Sequence, residues 1–128
     1  MRILVVDDDH FSLLAMARSL RQAGYDVVEA MRAEQVLKAA EHGDFAVVIM
    51  DIFMPGIGGI QAIQRIREQN SECIIFAVSA GMGNMPGEDA IRAAVKIGAN
   101  GGFTKPLDID ALMKAVREVG DPAPPEDA

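Results

Sequence analysis

Apolar residues in this chain fall into short unbroken runs and into helical stripes, and the two kinds alternate. Val47-Val48-Ile49-Met50 leads straight into Asp51, and Pro55-Gly56 follows soon after. A run of this kind reads as a strand buried on both faces and ended by a turn. Arg2-Ile3-Leu4-Val5-Val6, Asp26 to Ala30, Cys73 to Val78 and Gly101-Gly102-Phe103 read as four further strands. Leu13, Leu14, Ala17 and Leu20 recur at helical spacing, with Arg18 and Arg21 outward and Gly24 as the stop. Val36, Leu37 and Ala40 mark a second helix from Ala33 to Glu41, and Ile57, Ile60, Ile63 and Ile66 mark a third. The fourth runs from Glu88 to Ile97 with Ile91, Ala94 and Val95 inward. The fifth runs from Ile109 to Val119, burying Ile109, Leu112, Met113 and Val116, with Asp108 as its N-cap.

Five strands alternating with five helices predict an α/β fold: a parallel sheet with right-handed crossovers, covered by helices on both faces. Residues 1–120 form one domain in this reading. Residues 121–128, Asp-Pro-Ala-Pro-Pro-Glu-Asp-Ala, are Pro-rich and acidic and are expected to be a disordered tail or the start of a linker.

Composition narrows the function classes. The 128 residues are 50% hydrophobic, enough for a real core, and no apolar run approaches membrane-spanning length. The N-terminus lacks the layout of a signal peptide, and one cysteine, Cys73, leaves no intramolecular disulfide. These features suggest a cytoplasmic protein with no membrane partner. A net charge of −7, no Trp and no Lys/Arg cluster argue against direct nucleic-acid binding. Cys73 reads as a buried thiol, and His10 and His42 as surface residues without partners at metal-ligand spacing.

The polar residues change the picture more. Four of the five strands end in a polar group: Asp7-Asp8-Asp9, Asp51, Ser79, and Thr104-Lys105. In an open parallel sheet the carboxyl ends of the strands share one edge, where ligands bind. Asp9 there reads as a helix cap or a solvated residue. Asp7, Asp8 and Asp51 brought together would repel one another, and a hard dication relieves that repulsion. Oxygen-only ligands suit Mg²⁺, which binds through one or two carboxylates plus phosphate oxygens. Mg²⁺, Lys105 and the Ser79 hydroxyl would make a pocket complementary to a phosphoryl group, and a carboxylate can act as nucleophile to form an aspartyl-phosphate.

At this point the chain resembles the receiver domain of bacterial two-component response regulators, of the chemotaxis-regulator kind. Val5-Val6-Asp7-Asp8, Asp51 with Met54-Pro55, Ser79-Ala80, Gly98-Ala99 and Lys105-Pro106 carry the resemblance, which spans Arg2 to Val119. It implies a flavodoxin-like doubly wound sheet with strand order 2-1-3-4-5. It implies Asp51 as phosphoacceptor, with Mg²⁺ held by Asp8, Asp51 and the Phe53 backbone carbonyl, and by Asp7 through water. Ser79 and Lys105 would bind the phosphoryl group, and Pro106 would follow a cis peptide bond. A histidine kinase or histidine phosphotransfer protein would supply the phosphoryl group. A downstream protein would dock on the face formed by the fourth helix, fifth strand and fifth helix, with Arg92, Lys96 and Lys114 exposed to it.

Three positions depart from the pattern. Gly102 stands where the family usually has a large aromatic that swings inward on activation. The segment Gly81 to Gly87 is longer than usual and rich in glycine, so it is expected to be a mobile loop that reports phosphorylation instead, with Met82 and Met85 exposed unless they dock on a partner. Gly58-Gly59 replaces the usual Asp-Gly, at little cost to the helix that follows. The expected function is a single-domain response regulator: not an enzyme, but a phosphoacceptor module that assists its own phosphorylation and dephosphorylation. The alternatives are a phosphorylation-independent scaffold, the receiver part of a longer regulator, a flavin binder on the same fold, or a metal-dependent phosphatase.

Overall fold

The computed structural model describes residues 1–42, 45–53, 58–70, 72–82 and 84–122. Its elements are β1 (Arg2–Val6), α1 (His10–Gln22), β2 (Asp26–Ala30), α2 (Ala33–His42), β3 (Val47–Asp51), α3 (Gly59–Gln69) and β4 (Ile74–Ser79). They continue as β5 (Gly81–Met82), β6 (Met85–Pro86), α4 (Gly87–Lys96), β7 (Gly101–Thr104) and α5 (Ile109–Val119). The main sheet has the order β2-β1-β3-β4-β7, and every pairing in it is parallel. Counting its strands alone, this is the 2-1-3-4-5 order expected from the sequence.

Strand alternation divides the core in two. Leu4, Val6, Val48, Met50, Ile75 and Ala77 point to the face covered by Val36 of α2, Ile63 and Ile66 of α3, and Ala90 and Ala94 of α4. Ile3, Val5, Val47, Ile49, Phe76 and Val78 point to the opposite face, where Leu13, Met16 and Leu20 of α1 and Leu112 and Val116 of α5 close over them. All five residues of β3 are buried, which is why its sequence is continuously apolar up to Asp51. Tyr25 is buried, and its hydroxyl donates to the Gly120 carbonyl at 2.8 Å, tying the end of α5 to the turn after α1.

Several sequence expectations need correction. Leu14 is 43% exposed: the buried stripe of α1 is Leu13, Met16, Ala17 and Leu20, and Leu14 lies about 100° round the helix from Leu13. Val95 is 45% exposed for the same reason, since Ala90 and Ala94 define the inner line of α4. Ile109 and Met113 are half-buried at the rim of α5. The segment after Ser79 is not simply a loop: β5 and β6 pair antiparallel, Gly81 with Pro86 and Met82 with Met85. Ile57 lies outside the described residues, as do Met54-Pro55-Gly56 and residues 123–128 of the expected tail. Pro122 is described, and its ring packs beside Gly24, which has φ +100° just past the end of α1.

Helix α3 begins hard against the strand that carries Asp51. The Gly59 N–H donates to the Ile52 carbonyl at 2.9 Å, and a Cβ on Gly59 would lie 2.5 Å from Ile52 Cα. Backbone cannot retreat as a side chain can. Gly59→Ala is therefore expected to destabilise the protein by about 1–3 kcal/mol, measured by urea denaturation. Wild-type stability in the variant would contradict this packing.

Candidate functional site

Parallel pairing sets the strand ends level. Val6 pairs with Met50, Asp51 with Val78, and Ser79 with Thr104, so Asp7, Asp51, Ser79 and Lys105 arrive at one edge from four strands. Asp7 and Ser79 are fully buried and Asp51 is nearly so, whereas Asp8 is exposed.

Each side chain is held by local backbone. The Asp7 N–H donates to the Ala30 carbonyl at 3.1 Å, and Asp7 Oδ1 accepts from the Asp9 N–H at 2.9 Å. Asp9 is the N-cap of α1: it accepts from the Phe11 N–H at 3.1 Å and from Ser12 Oγ at 2.9 Å. The Ser12 hydrogen bond, then that of Phe11, lowers its pKa. Asp51 Oδ1 accepts from the Phe53 N–H at 3.0 Å. Asp108 caps α5 by accepting from the Ala111 N–H at 3.1 Å.

Lys105 joins the two buried carboxylates. Its Nζ lies 2.9 Å from Asp51 Oδ2 in a hydrogen bond and 2.9 Å from Asp7 Oδ2. The second contact is an ion pair without hydrogen-bond geometry, so Asp7 Oδ2 is a buried oxygen with no directed donor. The peptide bond between Lys105 and Pro106 is cis, and the Lys105 N–H donates to the Ser79 carbonyl at 2.9 Å. Burial raises the pKa of Asp7, and the negative charge of Asp51 adds to this against the Asp9 hydrogen bond and Lys105. Burial alone would pull the Lys105 ammonium down, but its close contacts with the Asp7 and Asp51 carboxylates and their negative charge prevail and raise it.

The donor set fits a hard dication. Asp7, Asp8 and Asp51 each offer a carboxylate oxygen, all within 4.8 Å of one another. Three carboxylates face one ammonium, which leaves excess negative charge, and Asp7 Oδ2 has acceptor capacity to spare. Among the described residues no imidazole or thiolate joins this cluster. Oxygen donors beside a partly open cleft are the chemistry of Mg²⁺.

Sequence reasoning placed the acidic and basic members of this edge but passed over Phe11 beside it and Arg67 at the opposite edge of the sheet. Phe11, 82% exposed, stands on the first turn of α1 beside the acidic cluster, and an aromatic following Asp7-Asp8-Asp9-His10 was the available signal. Arg67 escaped as well: its Nε donates to the Gly98 carbonyl at 2.9 Å and its guanidinium to the Cys73 carbonyl and Asn100 Oδ1. It braces the far ends of β4 and β7. Nothing in the isoleucine stripe of α3 announces it. The Gly102 site is closed rather than empty, for a Cβ there would lie 2.7 Å from Ile91 Cγ2.

Comparison with known proteins agrees with this fold. The family model described as "Response regulator receiver domain" matches residues 3–117. The "Cyclic di-GMP phosphodiesterase" of Thermotoga maritima is 30% identical over 88% of this chain and 29% of its own length. The "CAI-1 autoinducer sensor kinase/phosphatase CqsS" of Vibrio cholerae is 37% identical over 90% of this chain and 17% of its own. The chain thus spans less than a third of either relative. Among solved structures, the chemotaxis response regulator CheY4 of Vibrio cholerae superposes with a TM-score of 0.81 at 25% identity, covering 92% of this chain and 97% of that one. Relatives therefore include both single receiver domains and longer regulators. No helix among the described residues is long and apolar enough to cross a membrane.

Proposed function

Because this chain belongs to the response regulator receiver family, whose members are signalling modules of two-component systems, we propose that it is a switch controlled by phosphorylation of Asp51. The observation that carries the reading is the Lys105 ammonium set 2.9 Å from both Asp7 Oδ2 and Asp51 Oδ2, with Asp8 beside them. Receiver domains take their phosphoryl group within two-component systems from histidine kinases or phosphotransfer proteins. Here an Asp51 oxygen attacks the phosphorus of the donor, and the donor imidazole leaves. Lys105 turns from Asp7 and Asp51 to the new phosphoryl oxygens. The Ser79 hydroxyl, buried at the end of β4, donates to another of them.

Asp8, Asp51 and the Phe53 carbonyl would hold Mg²⁺ directly, with Asp7 acting through water. When bound, the ion would supply charge neutralisation for the transferred phosphoryl group. The chain's own contribution is mostly positioning: the Phe53 N–H fixes the Asp51 carboxylate and the Asp9 N–H fixes Asp7. The same pocket admits water for slow dephosphorylation. The downstream partner is a protein that reads the face of α4, β7 and α5, where Arg92, Lys96 and Lys114 are exposed. We place the module in the cytoplasm, acting alone or as the receiver part of a longer regulator.

Incubation with acetyl phosphate and Mg²⁺, followed by intact-mass measurement, tests the reading. One phosphoryl group is expected on the wild type. None is expected with EDTA or on Asp51→Asn. No gain in the wild type, from acetyl phosphate or from any phosphorylated histidine donor, would favour the phosphorylation-independent scaffold.

A further inference from the structure

Three aspartates follow β1 in a row, and the third is held differently from the first two. Asp7 and Asp8 join Asp51 in the three-carboxylate cluster, and Asp9 does not. Both Asp9 carboxylate oxygens are engaged at the start of α1: Oδ1 accepts from the Phe11 N–H at 3.1 Å and Oδ2 from Ser12 Oγ at 2.9 Å. Its carbonyl accepts the Leu13 N–H at 3.0 Å. Its N–H faces the other way and donates to Asp7 Oδ1 at 2.9 Å. Among the described residues this is the only directed hydrogen bond to the Asp7 carboxylate, because Oδ2 meets the Lys105 ammonium as an ion pair alone.

We infer that Asp9 is a positioning residue for the Mg²⁺ site: its side-chain cap locks the first turn of α1, and the locked turn holds Asp7 and Asp8 in place beside Asp51. This rests on the reading of those three carboxylates as the metal site. Asp7 is fully buried, so water cannot replace a donor that leaves its Oδ1. Without the cap the turn frays, the N–H at position 9 leaves Oδ1, and the Asp7 carboxylate is free to rotate away from its two neighbours. Asp8 is exposed, and its backbone is fixed from both sides: the Asp7 N–H is bonded to the Ala30 carbonyl at 3.1 Å, and Asp9 is bonded into α1. An N-cap needs an acceptor oxygen and not a charge, and Asn caps as well as Asp. A residue acting through its charge alone would be replaced as poorly by Asn as by Ala.

Mg²⁺ titration of the metal-free full chain, followed by amide NMR at about 0.15 M salt to screen surface charge, tests this. Asp9→Ala is expected to bind Mg²⁺ about tenfold more weakly than wild type, the lower end of what losing an outer hydrogen-bond partner costs at a metal site. Asp9→Asn is expected to stay within about threefold of wild type, since an exposed charge contributes little. Ser12→Ala should fall between them. Before Mg²⁺ is added, the amide at position 9 should exchange slowly with solvent in wild type and Asp9→Asn and faster in Asp9→Ala. Equal losses in Asp9→Asn and Asp9→Ala, or an unchanged affinity in Asp9→Ala, overturn the positioning role. Should Asp9→Ala fail to fold, Ser12→Ala decides: weaker binding than in Asp9→Asn supports the role, and wild-type affinity overturns it. A wild type that binds no Mg²⁺ overturns the metal-site reading itself, and the positioning role falls with it.

Discussion

Lys105→Ala is expected to lose about 2–4 kcal/mol of stability in metal-free buffer at neutral pH. That is about 1 kcal/mol below the range for breaking a fully buried pair, because the Lys105 side chain is 18% exposed. The loss comes chiefly from Asp7, which is fully buried and whose Oδ2 has, among the described residues, no other cation and no directed hydrogen bond. Removing the ammonium leaves two close carboxylates uncompensated. The pH dependence follows from the directions of the two shifts. Lys105 is raised, so its contribution is present below its unfolded value and is lost as the pH rises through its folded value. Asp7 is raised by burial, so it too favours the folded state most at low pH, and this is lost as the pH rises through its folded value. In the variant Asp7 lacks its cation and holds its proton more tightly still. The deficit against wild type should therefore shrink on acidification. Urea denaturation across the acid and neutral range measures it. A deficit that is absent at neutral pH, or constant down to acid pH, would contradict the assignment of Lys105 as the partner of Asp7.

Mg²⁺ gives the second large effect. A ligand that binds only the folded state stabilises by an amount set by its concentration relative to its dissociation constant, about 1.4 kcal/mol at tenfold excess. For a chain of 128 residues this corresponds to a rise in Tm of about 4–8 °C. Asp8→Asn should remove most of the rise, because Asp8 is the exposed member of the three-carboxylate cluster and offers a direct ligand at the open side. It should leave the metal-free protein no less stable, since one repelling charge has gone. A scan with and without Mg²⁺ reads both effects. An equal rise in wild type and Asp8→Asn would show that the ion binds elsewhere.

Much of this was legible in the sequence because the signals are local. The run Val47 to Met50 is buried on both faces, so its strand shows as unbroken hydrophobicity, and Asp51 stands out at its end. The cap Asp108 and the stop at Gly24 are read from residue type alone. What escaped is set by contacts between distant segments. Leu14 and Leu13 are equally apolar, and only the placement of α1 against the sheet puts Met16 inside and Leu14 outside. The absence of a side chain at Gly102 looked like a missing part. The structure has Ile91 of α4 in contact with that position, which no local pattern discloses. Likewise the Gly-rich stretch after Ser79 carries every mark of a loop, yet Met82 and Met85 pair in a short antiparallel ladder.

The central claim is that Asp51 is the nucleophile. Wild-type protein treated with acetyl phosphate and Mg²⁺ and then quenched with hydroxylamine should yield a hydroxamate, located by peptide mass spectrometry. The account predicts that the modification lies on Asp51 alone and disappears when Mg²⁺ is withheld. A hydroxamate on Asp7 or Asp8 instead, or none at any residue in protein that has bound Mg²⁺, would contradict it.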